Sequence, residues 1–540
     1  MLNLKTAELQ NKEAWEKAGI ALPQYDVEAM RAKTEAAPTW VHFGAGNIFR
    51  GFIARLQQDL LNQGLTDTGI VAVETFDFDV IDKIYKPYDS LALVVGMKAD
   101  GKLEKNVVAS IAEGVKADSS DATEMAKLEK IFVNPSLQMM SFTITEKGYA
   151  LTNMEGKFFP VVESDIAAGP NGQVKHAMSV VASLLYKRFK AGKLPMAVVS
   201  MDNCSHNGEK LQKGVMTVAK AWAEKGLVEA DFIAYLEDEK TIAFPWSMID
   251  KITPRPSKVV EEELEKSGVA DMAPVVTSKN TFIAPFVNCE IPEYLVVEDK
   301  FPNGRPALEK AGVYMTDRDT VNNTERMKVT TCLNPLHTAL AVYGCVLGYN
   351  SIASEMKDAE LKAMVEKIGY EEGMPVVVDP KILKPMDFIH EVIDERLPNP
   401  FIPDMPQRIA TDTSQKIAIR FGETIKSYIA REDLDAKTLT FIPLAIAGWF
   451  RYLLAVDDEG KAIEVSSDPM KDEMQQKLSD IKFGDQASYN GELKEILKNT
   501  NLFATDLTAC GLADKIEAMF VEEIAGPGAV RATLKKYLQK

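Results

Sequence analysis

The stretch "WVHFGAGNIFRGFIARLQQDLLNQG", Trp40–Gly64, decides the reading of the fold. An apolar run ends at Phe43, Gly44 and Gly46 follow, and a helical pattern begins at once. Ile48, Phe49, Phe52, Ile53, Leu56, Leu60 and Leu61 fall on one stripe, with Arg55, Gln57, Gln58 and Asp59 largely away from it. Gly64 is placed to stop the helix. Strand, glycine turn and helix in this order let a dinucleotide pyrophosphate approach the backbone and the helix's free N–H groups. Phe49 stands where a third glycine would complete G-x-G-x-x-G, so a turn used only for packing is the competing interpretation. Glu74 ends the next apparent strand. An acid there can accept hydrogen bonds from an adenosine ribose and repels a 2′-phosphate, which favours NAD over NADP.

The chain has 540 residues, too many for one ordinary core, so two large domains are expected. A net charge of -17 argues against nucleic acid or an anionic membrane surface as the main partner. The N-terminal "MLNLKTAELQNKEAWEKAG" mixes charge throughout, and no apolar run approaches the ~20 residues of a membrane span. Cys204, Cys289, Cys332, Cys345 and Cys510 are scattered without a C-x-x-C pair. They read as reduced thiols of a cytoplasmic protein, with no metal site.

"GIVAVETF" (69–76), "LALVVGM" (91–97), "MMSFTIT" (139–145) and "PMAVVSMDN" (195–203) read as buried strands, with helical patterns over 48–63, 120–133 and 173–191. This alternation predicts an α/β, doubly wound Rossmann-like domain with a parallel, helix-covered sheet. "APVVTS" (273–278) and "YLVVED" (294–299) are expected to extend that sheet. From about residue 300 the periodicity is helical, as in "HTALAVYGCVLGY" and "IPLAIAGWFRYLLAV". The expected division is a nucleotide-binding domain over 1–300 and a mostly α-helical substrate and catalytic domain over 301–540.

"ERMKVTTCLNPLH" (325–337) holds Lys328, Asn334 and His337 within ten residues. Asn334 and His337, three apart, can share a helical face. A buried lysine can act as a base, and amide N–H groups can hold a developing alkoxide. The same residues could equally be an exposed lysine, a helix-capping asparagine before Pro335 and a packed histidine. His42, His176 and His390 carry no partner pattern and read as packing or surface residues.

"HFGAGNIFRGF" resembles the N-terminal motif of the polyol-specific long-chain dehydrogenases, the mannitol dehydrogenase family, in which Phe and Arg follow the G-x-G. The resemblance spans most of the chain. "TITEKGY" (143–149), "SMDNCSHNG" (200–208), "FPWSMIDKITP" (244–254), "FPNGRPALEKAGV" and "RMKVTTCLNPLHTALA" are similar to family motifs in the expected order, with Ile249 and Lys251 replacing the usual Val and Arg. It implies an NAD-dependent, metal-independent secondary-alcohol dehydrogenase. Gly44, Gly46, Asn47, Phe49, Arg50, Glu74, Thr143 and Glu146 would then serve the cofactor.

On the same resemblance Lys328 is the general acid/base, and Asn203 and Asn334 hold the reacting oxygen. His337 binds substrate hydroxyls and Glu325 assists proton exchange. Asp250, Arg408 and Lys416, the last two in "NPFIPDMPQRIATDTSQK" (399–416), are the implied substrate-binding residues. That segment looks more like the hexuronate reductases' version, so a hexonate/keto-hexuronate pair, D-mannonate and D-fructuronate, is expected. Mannitol/fructose and altronate/tagaturonate are the alternatives. An NAD-retaining epimerase and a non-catalytic NAD-binding protein are readings of a different class. One departure is local: the family spacing is Lys-x4-Asn-x2-His, and this chain has Lys-x5-Asn-x2-His. An extra residue rotates a helix by ~100°, so either Lys328 precedes the helix or a bulge absorbs the insertion.

Overall fold

The structure, a computed structural model, describes residues 1–153 and 155–539. The chain divides into two compact units, Met1–Asn322 and Asn323–Lys540.

At the centre of the first unit is a parallel sheet of six strands: β1 (Trp40–Phe43), β2 (Ile70–Glu74), β3 (Ile111–Lys116), β4 (Met139–Phe142), β5 (Met196–Ser200) and β6 (Ile242–Ala243). Their spatial order is 3-2-1-4-5-6, with β1 paired to both β2 and β4. That is the doubly wound order in which the topological switch falls beside β1. Successive residues explain why both faces are covered. Val41 and Phe43 of β1, with Val71 and Val73 of β2, enter a core shared with helices α2 (Ala122–Phe132), α3 (Ala177–Lys190) and α4 (Asn207–Glu224). Trp40, Ile70 and Ala72 face the opposite core, which holds Phe49, Phe52 and Leu56 from the segment leading into α1 (Ala54–Asn62). A strand buried on both faces reads as a continuous apolar run, as these do.

Three expected features differ. Ala92–Met97 is a strand, but it belongs to a separate four-stranded sheet, antiparallel to Leu103–Val108 and parallel to Phe286–Glu290. "YLVVED" supplies Tyr294–Glu298 to a three-stranded sheet, antiparallel to Ser247–Asp250. "APVVTS" supplies only Val275–Val276 to a two-stranded hairpin. The second correction concerns the helix after the glycines, which is buried nearly all round. Gln57 and Gln58 are inside because their amides donate to the carbonyls of Thr68 (2.6 Å) and Val107 (2.7 Å). The third is that this helix opens with a π turn over Phe49–Ile53 before becoming α-helical. Its end is as expected: Gly64 adopts φ 68° and the Leu65 N–H returns to the Leu60 carbonyl at 2.9 Å.

Helix α5 (Arg318–Met327) carries the chain toward the second unit, where helices α6 (Asn334–Val346), α7 (Phe441–Leu453) and α8 (Ala513–Glu523) form the core. Every residue of α7 is buried. Among the described residues of this unit the β structure is limited to isolated bridges. Two buried acids grip one turn of α6. The Tyr343 hydroxyl lies 2.6 Å from Glu523 Oε1 and 2.9 Å from the Leu444 carbonyl. Glu355 is wholly buried against Gly344, where an added Cβ would stand 2.0 Å from Oε1. Burial drives both acids up, Glu355 well above the carboxylate range and Glu523 to about 8.

The unfolded chain releases the Glu523 proton near the ordinary 4.5, whereas the folded chain holds it to about 8. Its contribution to stability is therefore full below pH 4.5 and lost as pH rises to about 8. Glu523→Gln is expected to flatten this dependence. Thermal melts at pH 6 and pH 8.5 check it: the variant's Tm should gain on wild type at the higher pH. An equal Tm difference at both pH values would refute the assignment.

Candidate active site

In the first unit, Gly44, Gly46, Asn47, Glu74 and Thr143 line one cavity of about 960 Å³ at the carboxyl ends of β1, β2 and β4. Gly44 is there because nothing larger fits. Its φ is 102°, and an added Cβ would lie 2.2 Å from the Thr143 carbonyl oxygen. Gly46 is different: a Cβ there meets nothing within 4 Å, so the backbone itself is open to whatever fills the cavity. The helical segment begins at Asn47. A cavity of this size, with bare backbone at a helix start, fits a dinucleotide.

Glu74 acts as a clasp. Its Oε1 accepts from the N–H groups of Thr75 (2.9 Å), Phe76 (2.9 Å) and Asp77 (3.3 Å), and its Oε2 from Ala45 N–H at 3.1 Å. Burial nevertheless holds its carboxyl above the ordinary value against these four donors. Phe49 and Arg50 stand behind the cavity wall. Phe49 stacks on the His42 ring at 4.2 Å, and buried Arg50 donates to the Ala284 carbonyl and to Asn47 Oδ1, each at 2.8 Å. Glu146 turns to Lys210 at 2.5 Å instead of lining the cavity.

His42 is a packing residue, but with a full set of partners. Its Nδ1 lies 2.6 Å from Ser141 Oγ and its Nε2 2.8 Å from Thr143 Oγ1. Trp40 Nε1 donates to the same Ser141 oxygen at 2.7 Å. The Ser141 and Thr143 hydroxyls thus satisfy both ring nitrogens, and Thr143 Oγ1 also lies 3.4 Å from the Gly44 carbonyl. Burial pushes the imidazole down to about 3, which keeps it neutral.

Two quoted motifs meet at Asp202. Its carboxylate accepts from the N–H groups of Ile144 (3.0 Å) and Thr145 (2.8 Å) and from the Tyr149 hydroxyl at 2.5 Å. This pins Thr145 at φ 65°, a conformation that β-branched residues avoid. Asn203 is the next residue, exposed on the turn after β5. Asn207 holds that turn to the strand carrying Asp250: its Nδ2 donates to the Asp202 carbonyl and to Ser247 Oγ, each at 3.0 Å. Asp250 is buried at the end of that strand. The neighbouring Lys251 ammonium reaches Glu293 at 2.9 Å.

In the second unit, Lys328, Asn334 and His337 lie on consecutive turns. The extra residue is taken up by a π turn over Lys328–Cys332, closed by Leu333 N–H to the Lys328 carbonyl at 3.1 Å. An i→i+5 turn holds one residue more than an α turn, so the insertion need not rotate α6 relative to Lys328. Lys328 is buried, and Glu325 sits half-buried one turn earlier. His337 Nε2 is buried 3.4 Å from Asp404 Oδ2, out of line for a hydrogen bond, so the ring nitrogen is available to a hydroxyl. Asp404 also ion-pairs with Arg408. Burial alone would raise the Asp404 carboxyl, but His337 and Arg408 hold it below the usual range. Lys416 Nζ donates to the carbonyls of Ile409 and Thr411.

Sequence reasoning passed over Asp202, Asn207 and Asp404. Asp404 had a signal, since it stands four residues before Arg408. Asp202 and Asn207 lie inside a quoted motif, but their partners come from distant segments.

Such a sheet, with a glycine turn opening onto a dinucleotide-sized cavity, and a helical unit bearing a Lys–Asn–His run, defines a Rossmann-type dehydrogenase with an α-helical second domain. The chain belongs to the mannitol dehydrogenase family: the family's Rossmann domain matches residues 38–310 and its C-terminal domain residues 320–524. It is 54% identical over 537 residues to a D-mannonate oxidoreductase of Thermotoga maritima, covering 99% of each chain. It is 30% identical over 509 residues to a mannitol 2-dehydrogenase of Aspergillus clavatus, covering 92% of each. Among solved structures, it resembles Pseudomonas fluorescens mannitol 2-dehydrogenase in ternary complex with NAD and D-mannitol, with a TM-score of 0.70 and 26% identity over all of both chains.

Removing the Glu74 clasp strands four backbone N–H groups. Glu74→Ala is expected to cost about 2 kcal/mol or more in urea unfolding, and Glu74→Gln, which keeps an acceptor oxygen, less. Wild-type stability in the alanine variant would show that the clasp is dispensable.

Proposed function

We propose that this protein catalyses the NAD-dependent interconversion of a hexonate and a keto-hexuronate, D-mannonate and D-fructuronate. The observation that carries the substrate is 54% identity, over 99% of both chains, to a D-mannonate oxidoreductase. The cofactor reading is supported by the cavity lined by Gly44, Gly46 and Asn47, and by a structural relative solved with NAD. NAD, when bound, supplies the hydride acceptor.

The remaining roles belong to the chain. Residues 1–300 hold the cofactor and residues 301–540 supply most of the substrate and catalytic groups. Lys328 takes the proton of the reacting hydroxyl, from a buried position one turn before Asn334. Asn203 and Asn334 donate amide N–H groups to the same oxygen, stabilising it as charge develops. His337 binds a neighbouring hydroxyl through Nε2, which lies 3.4 Å from Asp404 Oδ2 without a hydrogen bond. Glu325, one turn from Lys328, passes the proton toward solvent. Asp250, Arg408 and Lys416 orient the substrate. No metal is needed for this chemistry, because a lysine and two amides meet its charge requirements.

Two experiments test this reading. Purified protein with NADH should reduce D-fructuronate faster than tagaturonate or fructose, and Lys328→Ala should lower kcat by about 100-fold or more. Reduction of fructose alone would overturn the sugar-acid assignment. The glycines provide a separate check by NADH titration. Gly46→Ala should weaken binding about tenfold while leaving Tm unchanged, because the added methyl meets cofactor and not protein. Gly44→Ala should lose both binding and stability.

A further inference from the structure

Four cationic or ionisable side chains of the second unit cluster around His337, and their partners differ. Arg408 is neutralised by Asp404, the carboxylate beside His337 Nε2. Lys416 rests on two main-chain carbonyls. Arg420, one helical turn beyond Lys416 in a π turn over Ala418–Gly422, donates Nη1 to the hydroxyl of Thr338, the residue after His337. Neither Lys416 nor Arg420 makes an ion pair among the described residues. The acids that face Lys416 are Asp412 and Asp468, and Asp468 is already held by the N–H and hydroxyl of Ser414 at 2.7 and 2.5 Å.

A half-buried guanidinium without a carboxylate is costly, because desolvation is not repaid by a counter-charge. Here that desolvation pulls Arg420 down to about 10, and Arg420 in turn helps depress Lys416. Arg408 has Asp404 and Lys416 faces Asp412 and Asp468, whereas Arg420 has the Thr338 hydroxyl and no counter-charge of its own. An anionic substrate group would supply it.

We infer that Arg420, with Lys416, is the seat of the substrate carboxylate, and that Arg408 orients the substrate indirectly, through Asp404, the carboxylate beside His337. The assignment rests on the hexonate reading above and gives that reading a residue that separates a sugar acid from a neutral polyol. A planar guanidinium fixed by Thr338 can present a paired N–H edge to a carboxylate, as a solvent-exposed lysine cannot. Tethering through Thr338 also sets the carboxylate end at a fixed distance along α6 from the hydroxyl that His337 binds.

The test compares D-mannonate with its uncharged amide in wild type, Arg420→Gln, Arg420→Lys and Arg408→Gln. Wild type should prefer the acid. Arg420→Gln should raise KM for mannonate about tenfold or more, the size of a lost charge-assisted hydrogen bond, with kcat/KM for the amide within about twofold. Arg420→Lys should recover part of the preference, and Arg408→Gln should lower kcat for both substrates alike. Equal losses on acid and amide in Arg420→Gln, or a lower Tm restored in Arg420→Lys without recovered preference, would make Arg420 structural and overturn the inference. Wild type with no preference for the acid would overturn the hexonate reading itself. A wild-type preference that survives Arg420→Gln overturns only the role of Arg420.

Discussion

The first unit depends on the side chain that Gly44 lacks. With a Cβ excluded by the Thr143 carbonyl, the ends of β1 and β4 converge, and Thr143 N–H reaches the Phe43 carbonyl at 2.9 Å. On the other side Gly44 N–H bonds the Val73 carbonyl at 2.9 Å, so the turn is tied to β2 as well. The cavity opens where these three strand ends are knit together. Gly46 can then leave its backbone bare, because the geometry of the turn has already been settled two residues earlier. Everything nearby is arranged around that close approach: Phe49 under His42, Arg50 holding Asn47, and Glu74 across the turn.

The second unit solves a different problem, which is how to keep a helix start in register. Helix α6 carries Asn334 and His337 on its first turn and is anchored at its far end by Tyr343, Glu523 and Glu355 in a core without strands. Buried neutral acids are a costly way to fix a helix, and they make its anchoring sensitive to alkali. Upstream, the π turn at Lys328–Cys332 packs against the one at Ala418–Gly422, with the Thr424 hydroxyl on the Thr330 carbonyl at 3.3 Å. Lys328 and Arg420, the groups assigned to the two ends of the substrate, thus lie on adjoining irregular turns.

Much of this was legible in the chain. The strands of the main sheet declare themselves because burial on two faces leaves no polar alternation. The glycine turn and the helical texture beyond residue 300 are equally local signals. Leu91–Met97 misleads for the same reason: an apolar strand looks alike in any sheet, and its partner Phe286–Glu290 is chosen by tertiary structure. Gln57 and Gln58 read as solvent-facing because the carbonyls that satisfy them belong to other segments. At the site, residue types and order were readable, whereas partners were not. Arg420 lies outside the stretches that the sequence singles out for the site, and the extra residue between Lys328 and Asn334 left open whether Lys328 precedes the helix or a bulge absorbs it, because the sequence does not say which turn will widen.

The Thr143 hydroxyl and the Glu74 carboxylate belong to different side-chain networks, yet they hold the same peptide plane. The carbonyl of Gly44 and the N–H of Ala45 are its two ends. A glycine at positive φ can lose its shape by flipping the following peptide, which would turn an oxygen toward an incoming anion. Here a flip would have to break a bond at both ends at once. Because burial keeps His42 neutral, with its pKa pushed down to about 3, the Thr143 side of this grip carries no charge that changes near neutral pH. The turn is therefore a latch set during folding, presenting the same face whether or not a ligand has arrived.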